Sequence, residues 1–540
     1  MRELPTDGQN FLSIRKHNLL YVDKTKYIYD IIRNDGCFFL SRPRRFGKSL
    51  LIGAMEAVLQ GQRELFNNLW IGSSGYDFEP IPVVKLNMSG PSQGETQLND
   101  TIASKLRRVA WKNGEEVTTD VNPASALSDL VTKLYLKTKK RVAVLIDEYD
   151  APIHATIDNP SLVATNQRIL HDFYAILKDL SDDGLLSLLF MTGVTKFVQT
   201  SIFSVFNNLT DLTLNKDYNG VCGFTLEEFD SYFAEYLPAM LENVKSEGAL
   251  SKSSTESDLR QLLLDYYDGY SWDGKKRVIN SYSLVKCLAE QSVEPFWFNT
   301  GTPSFLVKYI QKKPFDYVEA ESYELSESRL HAIEVDKLEL VPLLFQTGYL
   351  TVEKKIGSSN YRLKCPNLEV DQAFNASLVK ALTGRKEPHI LKLAAELKTA
   401  LLAFDEVAVA KRLETILRWV PHQEQKALEG YHHALIYSVL KALHFKVKSE
   451  VSVSEGVFDL FIEIPKKAIF IVEIKFKKIP GKKDLATEED VKKLLDQAVK
   501  EAVAQIKLKE YDAGFDQEYP AVKKMAVGIV ERAYVLTKIY

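Results

Sequence analysis

Four short runs in the first half of the chain are apolar on both faces and end in small or polar residues: CFFLS at 37–41, PVVKL at 82–86, VAVLI at 142–146 and LLSLLFMT at 185–192. A strand persists with both faces apolar only when both are covered, as parallel strands are by their crossover helices. Amphipathic stretches between the runs, such as Asn166 to Leu180, read as those helices. Alternating strand and helix predicts an α/β domain of the doubly wound kind, with ligands taken at the carboxyl ends of the strands.

The chain is 540 residues long, 45% hydrophobic and 26% charged. At about 150 residues per domain this predicts three or four folded cores and excludes disorder, collagen-like repeats and rods as the main state. The net charge of −3 gives no global basic field and leaves room for a local basic groove. Cys37, Cys222, Cys287 and Cys365 lie far apart with no C-x-x-C pair, against a zinc site or disulfide framework and for a reducing compartment. The amino terminus, MRELPTDGQN, is polar, and no uninterrupted apolar stretch reaches about 18 residues, so a soluble, cytoplasmic protein without membrane contact is expected.

Residues 1–224 hold the strand-helix alternation. From about Thr225 helical patterns take over, LEEFDSYFAEYL and then SDLRQLLLDYYDGYSW, followed by a strand-like RVIN at 277–280, which suits a helical or winged-helix-like lid over 225–300. Residues 301–420, including LKLAAELKTALLAF, read as a helical connector. Residues 421–540 switch to helix, alternating strands and helix, the pattern of a separate α/β unit.

The first run leads into RPRRFGKSLL. A tight loop before a helix aims backbone N–H groups and the positive end of the helix dipole at phosphates; Lys48 would reach the β and γ phosphates and the Ser49 hydroxyl would bind Mg²⁺. Arg44, Arg45, Phe46, Gly47 and Leu50 complete the candidate nucleotide-binding set. Where G-x-x-x-x-G-K-[ST] has its first glycine, this chain has Arg42. The third run ends in Asp147 and Glu148, 99 residues after Lys48. ATP hydrolysis needs such a strand end: Asp147 to hold Mg²⁺ through water, and Glu148 to deprotonate the attacking water. Thr192, at the end of the fourth run, either senses the γ-phosphate or satisfies local backbone groups. Arg44 and Arg45 either neutralise phosphate charge or form structural salt bridges, with Arg45 the stronger candidate for phosphate.

YVDKTKYIYDII at 21–32, FFLSRPRRFGKSLL at 38–51, VLIDEYDAPI at 144–153, and MTGVTKF with SIFSVFNNLTD to Asp211 resemble the AAA-ATPase-like family of P-loop proteins. The likeness covers roughly residues 4–220, and the order and spacing of YVDKT and RPRRFGKS make it specific; YYDGYSW at 266–272 and FWFNTGTPSFL at 296–306 are also similar. It implies a P-loop NTPase core, ATP and Mg²⁺ as ligands, an arginine in place of the first loop glycine, and a nuclease-like domain at the carboxyl terminus. Within YVDKT, Asp23, Lys24 and Thr25 either approach the adenine or ribose, or Asp23 and Thr25 cap a helix start.

GVFDLFIEIPKKAIFIVEIKFKK at 456–478 reads as a hairpin. A five-residue loop at 464–468 makes the pairing symmetric about Lys466, so 463 meets 469 and Asp459 faces Glu473. Directly opposed residues have Cβ atoms about 4.5–5.5 Å apart, close enough for two carboxylates to share a divalent ion. Lys475 shares their face; Phe458, Leu460, Val472 and Ile474 face a core. Opposed like charges repel, so the arrangement calls for a cation. Mg²⁺ held by Asp459, Glu473 and the Ile474 carbonyl, with Lys475 stabilising developing charge, suits phosphodiester hydrolysis, while a charged, solvated strand face is the alternative. The pattern resembles the PD-(D/E)XK, restriction-endonuclease-like superfamily, whose signature is an Asp followed after a hairpin by Glu-x-Lys. The resemblance implies Glu429 as a further metal or water ligand, in EGYHHALIYSVL with Tyr431 and His432, and Gln505 and Tyr511 on a bordering helix. Glu450 is a rival for the upstream acid. Between 465 and 509 stand 12 Lys against 7 acids, either a track for a phosphate backbone or a solvated edge.

The expectation is an ATP-binding and ATP-hydrolysing protein with a Mg²⁺-dependent nuclease-like domain acting on DNA or RNA, as a monomer or a homo-oligomer. The alternative is a nucleotide-switched scaffold whose last domain binds nucleic acid or a partner protein without cutting. Residues 1–420 carry 49 basic against 54 acidic residues, and residues 421–540 carry 20 against 18, so the mildly basic part is the one expected to meet nucleic acid.

Overall fold

The computed structural model describes all residues except 6–7, 119–121, 198–208, 248–249, 302–322, 332, 334–338, 384–386, 420–428, 443–444, 454–455, 465–467, 480–486, 510–520 and 531–533. The described residues form two compact units, Met1–Gly301 with Ser322–Glu369, and Val370–Tyr540.

The first unit is built on β1 (Gly36–Ser41), β2 (Val83–Asn87), β3 (Val142–Asp147), β4 (Leu186–Gly193) and β5 (Leu209–Asp211) in the order β2-β3-β4-β1-β5, all pairs parallel. It is the parallel sheet of a P-loop NTPase, and its first four strands fall within one residue of the four apolar runs. Helices cover both faces, among them Lys48–Leu59, Glu95–Lys112, Pro123–Thr138 and Pro160–Asp182. The strands are consequently buried along almost their whole length; every residue of β3 is below 4% exposed. Each fully buried Val, Ile or Leu contributes about 1.5–3 kcal/mol relative to exposure, so this layer holds the strand ends in place. Parallel strands all point the same way, which brings Ser41, Asn87, Asp147 and Thr192 to one edge of the sheet.

The segment expected as a lid begins at a capping box: the Thr225 side chain accepts from Glu228 N and the Glu228 carboxylate accepts from Thr225 N, which starts the helix Leu226–Tyr232. The expected helix 226–237 is broken at Phe233, and Pro238 opens the next helix, Leu237–Ser246. The helices Glu256–Tyr267 and Ser281–Glu290 follow, and RVIN supplies isolated bridges, Phe224 to Ile279 and Tyr270 to Val278. Their apolar faces share one core with Leu20 and Val22. Of the stretch 301–420, the described residues from Tyr323 to Glu369 belong to the first unit and include, beside helices, a three-stranded antiparallel sheet of β6 (Glu324–Ser326), β7 (Thr351–Ile356) and β8 (Asn360–Lys364).

The second unit contains β9 (Lys446–Val453), β10 (Gly456–Ile464), β11 (Ala468–Lys477), β12 (Val522–Val530) and β13 (Tyr534–Ile539), a mixed sheet in the order β13-β12-β11-β10-β9. Only the β11–β12 pair is parallel, joined through the helix Glu488–Lys509. On one face Leu460, Ile462, Val472 and Ile474 meet Leu397, Leu401, Val409, Leu413, Ile436 and Leu440 from three helices. On the other, Phe461, Ile469 and Ile471 pack on Val499, Ala502 and Ile506 of the helix Glu488–Lys509. Both faces are covered, and alternation along the strands decides which side chain goes to which helix layer. No described helix is long and apolar enough to cross a membrane.

Candidate nucleotide and carboxylate sites

β1 ends at Ser41 and the chain turns through residues 42–47 into the helix Lys48–Leu59, with Gly47 at φ +91° as its N-cap. Lys48 is buried, and its Nζ donates to the carbonyls of Arg42 (2.7 Å) and Pro43 (2.8 Å), folded back over the loop. Burial lowers its pKa, while Asp147 opposes that shift. The Asp147 carboxylate accepts from the Ser49 hydroxyl at 2.6 Å, from the Thr192 hydroxyl at 2.8 Å and, more weakly, from Asn87 Nδ2 at 3.4 Å. One carboxylate thus gathers the loop helix, β4 and β2. Of this set the sequence pointed to Ser49, Asp147 and Thr192; Asn87 was missed, though its place at the end of a buried strand was a signal.

Glu148 follows in the left-handed region at φ +53° and is half-buried, with no ion pair among the described residues. Asp150 pins the far side of this turn. Its Oδ2 accepts from Val194 N, Thr195 N, the Thr195 hydroxyl and the His154 ring. Burial pushes its pKa up, but His154 and these hydrogen bonds outweigh that and hold it below the usual range. Between Thr192 and Val194, a Cβ on Gly193 would stand 2.5 Å from Tyr149 Cδ1 and 2.7 Å from Asp150 Oδ1, so only glycine lets the two strand ends approach.

The phosphate loop is held from outside by residues 171 or more positions later. Arg42, fully buried, stacks its guanidinium 3.9 Å from the Trp272 ring and donates to the carbonyls of Ser41, Thr213 and Tyr218. Burial lowers its pKa to about 10. The arginine at the first glycine position is therefore built into the wall of the loop. Phe46 packs edge-on to Tyr270 and Trp272, with ring centroids 4.7 and 5.8 Å away. Trp297 Nε1 donates to the Arg44 carbonyl at 2.9 Å, and a Cβ on Gly348 (φ +94°) would come within 2.8 Å of Pro43. Arg44 and Arg45 are exposed; Arg45 lies 4.9 Å from the Tyr282 ring, and neither enters an ion pair among the described residues. YYDGYSW and FWFNTG are thus the walls of the loop, a role that reading them locally could not reveal.

Beside Gly47, Leu50 and Leu51 lies an apolar pocket of about 80 Å³, lined by Tyr21, Val22, Cys222, Phe224 and Val285. Sequence reasoning had Phe46, Gly47 and Leu50 and missed Tyr21, Val22, Cys222, Phe224 and Val285, which come from three distant segments. Within YVDKT the N-cap of the helix Thr25–Arg33 is Lys24 rather than Asp23 or Thr25; Asp23, one residue earlier, accepts at Oδ1 from Thr25 N and its hydroxyl, and at Oδ2 from Trp70 N. Lys24 is buried and donates to Gly220 O and to both Glu228 oxygens, tying this segment to the helix Leu226–Tyr232. Burial lowers its pKa against the pull of Glu228.

In the second unit the β10–β11 ladder pairs Glu463 with Ile469 and Leu460 with Val472, the register symmetric about Lys466, while residues 465–467 lie outside the described residues. Continued by one residue, it sets Asp459 opposite Glu473. There Asp459 Oδ2 accepts the Ile474 N–H at 2.6 Å. Glu473 is fully buried, and Lys475 Nζ pairs with its Oε1 at 2.8 Å. Gln505 sits on the helix Glu488–Lys509, which packs on this face. Glu429 opens the helix Glu429–Ala442 and Glu450 lies in β9, but the side chains of Glu429, Tyr431, His432 and Glu450, and all of Tyr511, fall outside the described residues. Among the described residues no group of three or more His, Cys, Asp or Glu converges as a metal site.

Residues 5–203 match the family model described as "Predicted AAA-ATPase", and residues 427–538 the one described as "PD-(D/E)XK nuclease superfamily". The "Uncharacterized protein in vnfD 5'region" of Azotobacter chroococcum mcd 1 is 30% identical over 472 residues, spanning 85% of this chain and 87% of that protein. Among solved structures, that of the Aeropyrum pernix ORC1 protein in complex with DNA aligns over 65% of this chain and 91% of that chain, with 11% identity and a TM-score of 0.24.

Proposed function

We propose, from the premise that this chain belongs to the family of the Azotobacter protein and joins a predicted AAA-ATPase domain to a PD-(D/E)XK nuclease-superfamily domain, that it hydrolyses ATP and carries a metal-dependent nuclease-type site. The observation that carries the ATPase assignment is the Asp147 carboxylate taking both the Ser49 and Thr192 hydroxyls at the rim of the parallel sheet. A hydroxyl and a carboxylate side by side are the hard oxygen donors that Mg²⁺ prefers, and Ser49 and Asp147 would hold it. Bound there, Mg²⁺ supplies charge neutralisation to the phosphates. Lys48 exchanges two carbonyls for phosphate oxygens, and the helix start presents its N–H groups. Glu148 accepts the proton of the attacking water. Arg45, free of ion pairs among the described residues, offers its charge to the phosphates.

In the second unit Asp459 and Glu473 supply carboxylate oxygens from adjacent strands, with Glu429 a further ligand, and the fit is again to a hard divalent ion such as Mg²⁺. Lys475 offsets the charge of Glu473 and stands ready to stabilise charge on a phosphodiester. Nucleic acid, DNA or RNA, is the substrate class this chemistry serves.

Glu148→Gln should lower ATP turnover by about 10²–10⁴-fold; a variant as fast as the parent removes Glu148 from the role of base. Asp459→Ala and Lys475→Ala should abolish Mg²⁺-dependent cleavage and leave ATP hydrolysis intact. If the parent cuts none of single-stranded DNA, duplex DNA and RNA with Mg²⁺ or Mn²⁺, with and without ATP, the second unit is a binding module and the protein a nucleotide-switched scaffold.

A further inference from the structure

Glu369 is fully buried, and the nucleotide chemistry above makes no use of it. Its Oε1 accepts the Trp297 backbone N–H at 2.7 Å, and both its oxygens lie 2.9 Å from the Ser283 hydroxyl, which itself accepts from Trp297 N at 3.1 Å. The same Trp297 donates its indole N–H to the Arg44 carbonyl in the phosphate loop. Ser283 lies in the helix Ser281–Glu290, next to Tyr282, whose ring lies under Arg45. One carboxyl group therefore anchors two of the outside contacts on the loop. A buried carboxyl is costly to keep when apolar packing would serve as well, which marks it as a group retained for what it positions.

We propose that Glu369 is a positioning residue of the ATPase site, fixing Trp297 and through it the Arg44 carbonyl and the phosphate loop. The inference rests on the ATPase assignment for its kinetic consequence only; the mechanical link stands on the contacts. Burial pushes the Glu369 carboxyl up to about 8, against the hydrogen bonds from Trp297, Ser283 and Phe298. The other titratable groups around it are Tyr266, Tyr267, Tyr270 and the Cys287 thiol, all raised by burial and neutral through this range. Passing from pH 7 to pH 9 thus turns Glu369 into a stronger acceptor and tightens the clamp.

The full-length protein tests this by hydrogen–deuterium exchange of peptides covering residues 42–49, without nucleotide, alongside ATP kinetics. Glu369→Ala and Trp297→Phe should each speed exchange there severalfold, the double variant no more than either single one, while Glu369→Gln, which keeps an acceptor oxygen, should exchange like the parent. ATP KM should rise in the two disruptive variants with kcat less affected; in the parent KM should fall between pH 7 and 9, and in Glu369→Gln stay flat. Unchanged exchange in both disruptive variants, or additive effects in the double variant, overturns the proposal. Faster exchange in a parent background that never turns over ATP leaves the link standing and sinks the ATPase assignment instead.

Discussion

The two candidate sites are assembled in opposite ways. At the nucleotide site Asn87, Asp147, Thr192 and Ser49 come from four elements and meet only because parallel strands end at one edge; at the second site Asp459, Glu473 and Lys475 come from one hairpin, placed by its register. The first depends on the whole sheet and on aromatic residues far along the chain. The second depends on a turn and a period of two. The first set is spread across a large contact network, whereas the second is encoded within 17 residues, from Asp459 to Lys475, on two interior strands of its sheet.

This contrast can be broken by separating the sites. Asp147→Asn should cut ATP turnover by about 10²-fold or more and leave cleavage by the second unit intact, and Asp459→Asn should do the reverse; a loss of both activities in either variant would mean that the two sites work as one. Gly193→Ala sharpens it from the stability side. The added methyl meets Tyr149 and Asp150, and overpacking of this kind costs about 1–3 kcal/mol, so the unfolding midpoint of the first unit in urea should fall while that of the second stays put. The last effect concerns pH. Glu369, ordinarily near 4.5, holds its proton up to about 8 in the folded protein. Between those values the native state binds the proton and the unfolded chain does not, so the first unit loses stability as pH rises through this window; Glu369→Gln should flatten that decline in thermal unfolding followed from pH 5 to 8.

Elements set by local pattern were legible in the sequence. The strand runs follow from double-sided burial, and the hairpin register follows from alternation about Lys466. What escaped was non-local. β5 has three residues and pairs with β1 only because the sheet edge is there to receive it. The break at Phe233 interrupts an apolar spacing that reads as one continuous helix. Trp272 under Arg42, Trp297 on Arg44 and the pocket walls Cys222, Phe224 and Val285 meet the loop across long sequence separations, which no periodicity encodes. That a helix starts at YVDKT was readable, though its N-cap is Lys24 and not Asp23 or Thr25; the partner of Lys24, Glu228, was not.

Arg45 and Glu148 both occupy left-handed backbone, φ +65° and φ +53°, one in the loop before Lys48 and the other just past the end of β3. For residues with a side chain this costs about 1–2 kcal/mol that glycine does not incur, partly returned through the looser unfolded chain. A variant library selected for heat tolerance alone would therefore drift toward glycine at these two positions. On the roles proposed for Arg45 and Glu148, that drift would remove the very side chains that ATP turnover uses, and robustness and catalysis would be traded within the same two backbone torsions.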